Sequence, residues 1–150
     1  MNMELIRSLY EQHRIGLYRF ALSILKNPAM AEDVLQETFA RLLQKNHLQF
    51  EPGKESAWLY RVARNLCYDH LQNQKKELPE QFESPAACSL EFIELIAPLS
   101  RLEREIVSLK ILGKLSHAEI AAVMHLSIHG TKKRYERAIH KLRSQMKEEL

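Results

Sequence analysis

The sequence predicts an all-α fold: two small helical domains joined by a flexible acidic linker, the C-terminal one a helix-turn-helix. Three observations predict it. Apolar residues recur at spacings of three and four through most of the 150 residues. Only four glycines occur, and β-branched residues hardly alternate, which leaves little basis for a sheet. Charge is also segregated. Residues 77–94 carry Glu77, Glu80, Glu83, Glu91 and Glu94 with no Lys or Arg, a net −5, whereas residues 129–147 carry seven Lys and Arg against Glu136, a net +6. The whole chain is only +3, so any nucleic-acid footprint has to come from this uneven distribution.

Residues 3–25 place Leu5, Leu9, Leu17, Phe20, Ala21 and Ile24 at helical spacing, with His13 completing the register. Gly16 inside this helix costs about 1 kcal/mol relative to Ala and is expected where another helix approaches closely. Asn27-Pro28 combines a cap with a first-turn proline and opens a helix over 28–45. Ala31, Leu35, Phe39 and Leu42 take its apolar side; Glu32, Asp33, Gln36, Glu37 and Arg41 take the other, with Glu37 and Arg41 spaced to pair. The pattern lapses from Asn46 to Gly53, where Glu51-Pro52-Gly53 is turn chemistry.

A third helix over 54–74 has Trp58, Leu59, Val62, Ala63, Leu66 and Cys67 on one arc and Arg61, Arg64, Asn65, Tyr68, Asp69 and Gln72 on the other. Arginine suits phosphates, Tyr and Trp stack on bases, and the Asn amide offers a paired donor and acceptor, a mixture fitted to single-stranded nucleic acid. By pattern alone, an ordinary solvated helix face is equally compatible. Residues 75–92 hold prolines, serines and glutamates without a stripe and are expected to be a flexible linker that turns helical near Leu90.

Ser100-Arg101-Leu102-Glu103 is a capping box that opens a helix ending before Gly113, with Leu102, Ile106 and Leu109 as its stripe. Val107 and Ile111 lie off that stripe, either as a second wall of the core or as a docking surface. Ser116 to Glu119 is a second capping box; Ile120, Ala121 and Met124 follow, and His125-Leu126-Ser127 breaks the pattern, with Ser127 as the next cap. The last helix puts Ile128, Thr131, Tyr135, Ile139, Leu142 and Met146 on an apolar stripe and Lys132, Lys133, Arg134, Arg137, Lys141 and Arg143 outside, with Glu136 as the acidic interruption. Two short capped helices, a tight turn and a basic second element describe a helix-turn-helix able to enter a major groove.

Cys67 and Cys88 form no CxxC pair and no disulfide framework, as suits a reducing cytoplasm. The N-terminus does not resemble a signal peptide, and no apolar run is long enough to span a bilayer. The seven histidines are scattered, no glycine-rich phosphate loop occurs, and no Ser or Cys nucleophile sits in a partnered motif. Neither an enzyme nor a cofactor or metal is expected.

In order and spacing these segments resemble the extracytoplasmic-function group of the sigma-70 family of bacterial RNA polymerase sigma factors, over about residues 8 to 144. Ala31-Glu32-Asp33-Val34-Leu35-Gln36-Glu37-Thr38-Phe39 resembles that family's AEDLVQETF helix, and Trp58 to Leu66 with Asp69-His70-Leu71 resembles WLYRIARNLAIDHL. Leu99 to Leu112, Leu115 to Ala121, and Lys132 to Arg143 match later family segments.

The resemblance implies a DNA-binding factor that directs core polymerase to promoters and initiates transcription. Residues 1–76 would bind core polymerase and the −10 element, 77–92 would be the linker running toward RNA exit, and 93–150 would bind the −35 element. It implies polymerase contacts from Asp33, Gln36 and Glu37 to the β′ clamp helices, and −10 contacts from Trp58, Arg61, Arg64, Asn65, Tyr68 and Asp69, with a flipped base near the 46–56 loop. The −35 contacts would come from Lys132, Lys133, Arg134, Glu136, Arg137 and Lys141. Implied partners are core RNA polymerase, including its β flap, promoter DNA and an anti-sigma factor covering 31–42 and 102–112, without membrane insertion.

The chain departs from the family pattern at His129-Gly130-Thr131, Lys133 and Tyr135, and it lacks an arginine run after Leu71. Two other functions fit the same residues: a stand-alone helix-turn-helix regulator, or a sigma-like accessory protein that docks without opening promoters.

Overall fold

Seven α-helices carry the described residues of the computed structural model, which are 3–45, 53–73 and 87–148. The first three are α1 (Met3–Leu25), α2 (Pro28–Gln44) and α3 (Glu55–Asn73); α4 (Ala87–Ile96), α5 (Arg101–Ile111), α6 (His117–Met124) and α7 (Ile128–Glu148) follow. The expected bounds hold to within a residue or so for α1, α2, α3 and α5. The segment expected as linker is already helical from Ala87, three residues before Leu90. Glu77, Glu80 and Glu83, and most of the 46–56 loop, lie outside the described residues.

α1, α2 and α3 pack as a three-helix unit around Leu17, Phe20, Ala21, Ala31, Val34, Leu42, Leu59, Ala63 and Cys67. α2 starts because the Asn27 side chain accepts a hydrogen bond from the Met30 amide at 3.2 Å while Pro28 occupies a position whose missing N–H costs nothing. Thr38, fully buried on this helix, donates its hydroxyl to the Val34 carbonyl at 2.7 Å and so leaves no unpaired polar group.

This core continues into the C-terminal half, where Ile106, Leu109, Leu115, Ile120, Val123 and Met124 join it. The junction is organised by Tyr60, which the sequence places on neither arc of α3. It is fully buried. A Cβ on Gly16 would overlap the Tyr60 hydroxyl, and one on Gly113 would meet its ring at 3.2 Å. Two glycines, one from each half, thus let a single tyrosine wedge between α1 and the α5–α6 turn. Ser56 adds a hydrogen bond from its hydroxyl to the Gly113 carbonyl at 2.7 Å.

α5 is apolar on two sides. Ile106 and Leu109 face the shared core, whereas Val107 packs with Ile96, Leu99, Ala138 and Leu142 in a second cluster. Val107 is therefore the second wall, and Ile111 stays 46% exposed. Three apolar residues assigned to stripes are instead exposed: Leu5, Ile128 and Met146. In α7 the buried positions are Thr131, Ala138 and Leu142, a stripe rotated slightly from the expected one.

Candidate nucleic-acid interface

α6 and α7 form the helix-turn-helix. Both arms of the Ser116 capping box are present: Ser116 Oγ accepts from the Glu119 amide at 3.1 Å and Glu119 Oε1 accepts from the Ser116 amide at 3.0 Å. His125 ends α6 in the left-handed region at φ 57°, and Ser127 Oγ accepts from the Gly130 amide at 3.0 Å to start α7. With Thr131, Ala138 and Leu142 turned inward, Lys132, Lys133, Glu136 and Arg137 lie exposed on the outer face. These are the residue types that read guanine and cytosine edges. Arg134 is half-buried. Lys141 is committed to α5, its Nζ 2.9 Å from Glu103 Oε1, so that assigned contact is shared with an internal ion pair.

Glu103 is buried, which by itself pushes its carboxyl up, but Lys141 and the Ser100 cap hold it below the ordinary glutamate value. His117 packs edge-on to Tyr135 at 5.4 Å between ring centroids. Burial, then Lys110 and Lys132, lowers its pKa.

On α3 the assigned residues divide. Arg61, Asn65 and Asp69 are exposed, while Trp58 is half-buried with the Lys45 ammonium 4.3 Å from its ring centre. Arg64 and Tyr68 are partly covered by α5. Arg64 Nε donates to Glu105 Oε1 at 2.7 Å, and the Tyr68 hydroxyl donates to Glu105 Oε2 at 2.7 Å. Arg101 donates to the Tyr68 hydroxyl at 3.0 Å, and both guanidiniums lie 4.7 Å from the Tyr68 ring centre. Burial and the bond to Glu105 raise the Tyr68 pKa.

An open pocket of about 530 Å³ gathers Arg64, Asn65, Tyr68 and Asp69, and adds Arg41 and Arg101. Trp58 and Arg61 do not line it. Arg41, Arg101 and Glu105 carry no sequence signal that joins them to α3, because each belongs to another helix with a sufficient local role.

On α2, Asp33, Gln36 and Glu37 are exposed along one line, and Glu37 pairs with Arg41 at 3.4 Å. Among the described residues, no group of three or more His, Cys, Asp or Glu is placed to hold a metal, and no helix is long and apolar enough to cross a membrane.

A helical domain bearing an Arg, Asn and Tyr face is followed by a basic helix-turn-helix, an arrangement suited to DNA. Residues 9–77 match the family model for sigma-70 region 2, and residues 89–142 match that for sigma-70 region 4. The ECF RNA polymerase sigma factor SigM of Bacillus subtilis is 32% identical over 137 residues, covering 81% of this chain and 83% of that protein. SigL of Mycobacterium tuberculosis is 29% identical over an alignment of 159 positions, covering 96% and 90%. Among solved structures, CnrH in complex with the cytosolic domain of CnrY superposes with a TM-score of 0.71 at 25% identity, covering 99% of this chain and 92% of that one. The sigma factor RpoE of Bartonella quintana, in complex with the anti-sigma factor NepR, shares the fold with a TM-score of 0.74 at 22% identity, covering 97% and 98%. The chain belongs to the extracytoplasmic-function group of sigma-70 RNA polymerase sigma factors.

Proposed function

We propose that each half of this sigma factor takes one promoter element while α2 holds the polymerase. Asp33, Gln36 and Glu37 dock on the clamp helices of core RNA polymerase. Residues 1–76 use Trp58, Arg61, Arg64, Asn65, Tyr68 and Asp69 on the opened −10 strand. Residues 93–150 bind the −35 duplex, with Lys132, Lys133, Glu136 and Arg137 at base edges and Arg134 and Lys141 on phosphates. Residues 77–92 connect the two.

The observation that carries this assignment is the outer face of α7, where three cations and one carboxylate stand exposed together above a buried opposite face. Cationic contacts fix register on phosphates, and paired donors discriminate bases. On α3, extracting a base costs a few kcal/mol, which contacts worth about 1–3 kcal/mol per base can offset. Nucleotidyl transfer belongs to the polymerase, so the chain itself is not an enzyme, and it works in the cytoplasm. RpoE of Bartonella quintana was solved with an anti-sigma factor; an anti-sigma partner of this chain would cover the exposed face of α2 and the Ile111 edge of α5.

Run-off transcription with bacterial core polymerase over a genomic promoter library tests the assignment. Discrete starts sharing two spaced elements are expected. Association with core but no starts would overturn it in favour of an accessory protein that docks without opening promoters.

A further inference from the structure

His117 opens α6 at its first helical position, directly after the Ser116 cap. Its ring stands edge-on to Tyr135 of α7, at 5.4 Å between centroids. Nδ1 is buried and meets no hydrogen-bond partner among the described residues, so Nε2 is the ring nitrogen left to reach a ligand. Two ammoniums face this imidazole, Lys110 from the last turn of α5 and Lys132 from the outer face of α7. Among the described residues neither lysine has a carboxylate within ion-pair distance.

Basic groups from three helices thus converge with no ion pair to neutralise them. Like charges held together cost free energy, which an incoming anion recovers. The place of the cluster says which anion. Lys132 and Glu136 are assigned above to base edges, and a helix seated in a major groove is flanked by the phosphates on either side of it.

We infer that His117 and Lys110 form a phosphate seat beside the −35 reading face, on the α5–α6 side of the helix-turn-helix, where His117 Nε2 donates to the DNA backbone and the imidazole takes up a proton from solvent as the duplex binds. This rests on the assignment of α7 to duplex DNA.

In the free chain, charging the ring creates a second N–H at buried Nδ1, without an acceptor and beside two ammoniums, so the neutral ring with its proton on Nε2 is favoured. A phosphate at Nε2 opposes the repulsion from the lysines, and the bound ring keeps its proton to a higher pH than the free one. Affinity is therefore flat above the bound pKa and strengthens as pH falls through it. It levels off below the free value, which burial, then Lys110 and Lys132, lower from the ordinary 6.5 against the opposing effect of Glu136. Of the titratable groups that face His117, namely Lys110, Lys132, Tyr135 and Glu136, none is another histidine.

Anisotropy titrations of the full chain with a short fluorescein-labelled random-sequence duplex read the seat directly, since a backbone contact ignores sequence. From about pH 7.5 down to about 5.5, wild-type affinity is expected to rise by up to about tenfold, the linkage of a one-unit pKa difference between free and bound ring. The salt slope should steepen by about one at the acid end. His117→Gln should lose most of both changes, while His129→Gln, at an exposed histidine of the same helix-turn-helix, should keep them.

A pH profile that His117→Gln leaves unmoved, or that His129→Gln abolishes, overturns the seat. Proton NMR of the His117 ring gives a second reading on the unaltered chain and holds even if the variant misfolds. Its titration midpoint should move up when the duplex is added, and a midpoint that stays or falls sinks the proposal. Absence of duplex binding at every pH overturns the α7 assignment and the seat with it, whereas binding without proton uptake overturns the seat alone.

Discussion

Glu105 of α5 accepts hydrogen bonds from Arg64 Nε and the Tyr68 hydroxyl of α3, each at 2.7 Å, and so joins residues 41 and 37 positions apart in sequence. A carboxylate this deeply covered is tolerated because both oxygens are satisfied and a cation faces it. Removing one partner of a fully enclosed pair costs about 3–5 kcal/mol, but Arg101 Nε, 3.9 Å from Glu105 Oε2, would still face the carboxylate. Arg64→Ala is expected near the low end, about 3 kcal/mol, because some solvent reaches Arg64. Urea denaturation checks this, and a loss within error of zero would mean that water already screens the pair.

Tyr60 has a fully buried side chain whose hydroxyl finds no hydrogen-bond partner among the described residues. Removing that oxygen removes an unsatisfied group. Tyr60→Phe should therefore be stabilising, by about 1 kcal/mol. Gly16→Ala should be destabilising by about 1–3 kcal/mol through overpacking, and less so in the Tyr60→Phe background. Thermal unfolding of the two single variants and the double variant would expose additivity, which would refute the contact.

His13 lies half-buried where α1 meets α3 and the α5–α6 turn. Its pKa is lowered by burial, with Lys114 adding to that and Glu55 opposing it. The folded protein thus binds the proton later than the unfolded chain. Stability is expected to be full above about 6.5 and to fall as pH drops from there through the lower folded value. His13→Gln should flatten this part of the profile; an unchanged profile would remove His13 as its source.

Glu103 has the opposite chemistry and a different window. Lys141 and Ser100 hold its carboxyl below the ordinary value against the opposing effect of burial. Its contribution is present above the unfolded glutamate pKa, about 4.3, and is lost as pH falls through the lower folded value. Glu103→Gln should lose stability at neutral pH and converge on the wild type in acid. Parallel curves at all pH values would contradict the ion pair.

On α7, base readers and phosphate contacts should separate. Arg137→Ala is expected to cost about 1–3 kcal/mol of −35 binding and to relax preference at one base pair, whereas Arg134→Ala, at an assigned phosphate contact, should weaken all sequences alike and reduce the salt slope by about one. Anisotropy titrations across salt concentrations, on matched and mutated duplexes with the polymerase complex, distinguish the two. Equal behaviour of both variants would remove Arg137 from the base-reading set.

The local elements were legible in the residues alone, because their causes are local. Asn27-Pro28, the Ser100 and Ser116 capping boxes, and spacing of three and four each act within one or two turns. The same locality made Asp33, Gln36, Glu37 and the outer residues of α7 legible as exposed faces, and the family's motif order was readable for the same reason. The long α3 was only half legible. Two arcs account for its partners in one domain, but Ser56, Tyr60, Arg64 and Tyr68 form a third face whose partners, Gly113 and Glu105, lie beyond residues that carry no helical stripe. That this face is covered, that Val107 rather than Ile111 enters the core, and that Lys141 turns to Glu103 emerges only once the helices are packed together. Each depends on what stands opposite in space, and helical periodicity records which side of a helix is apolar, not which distant carboxylate or glycine will meet it.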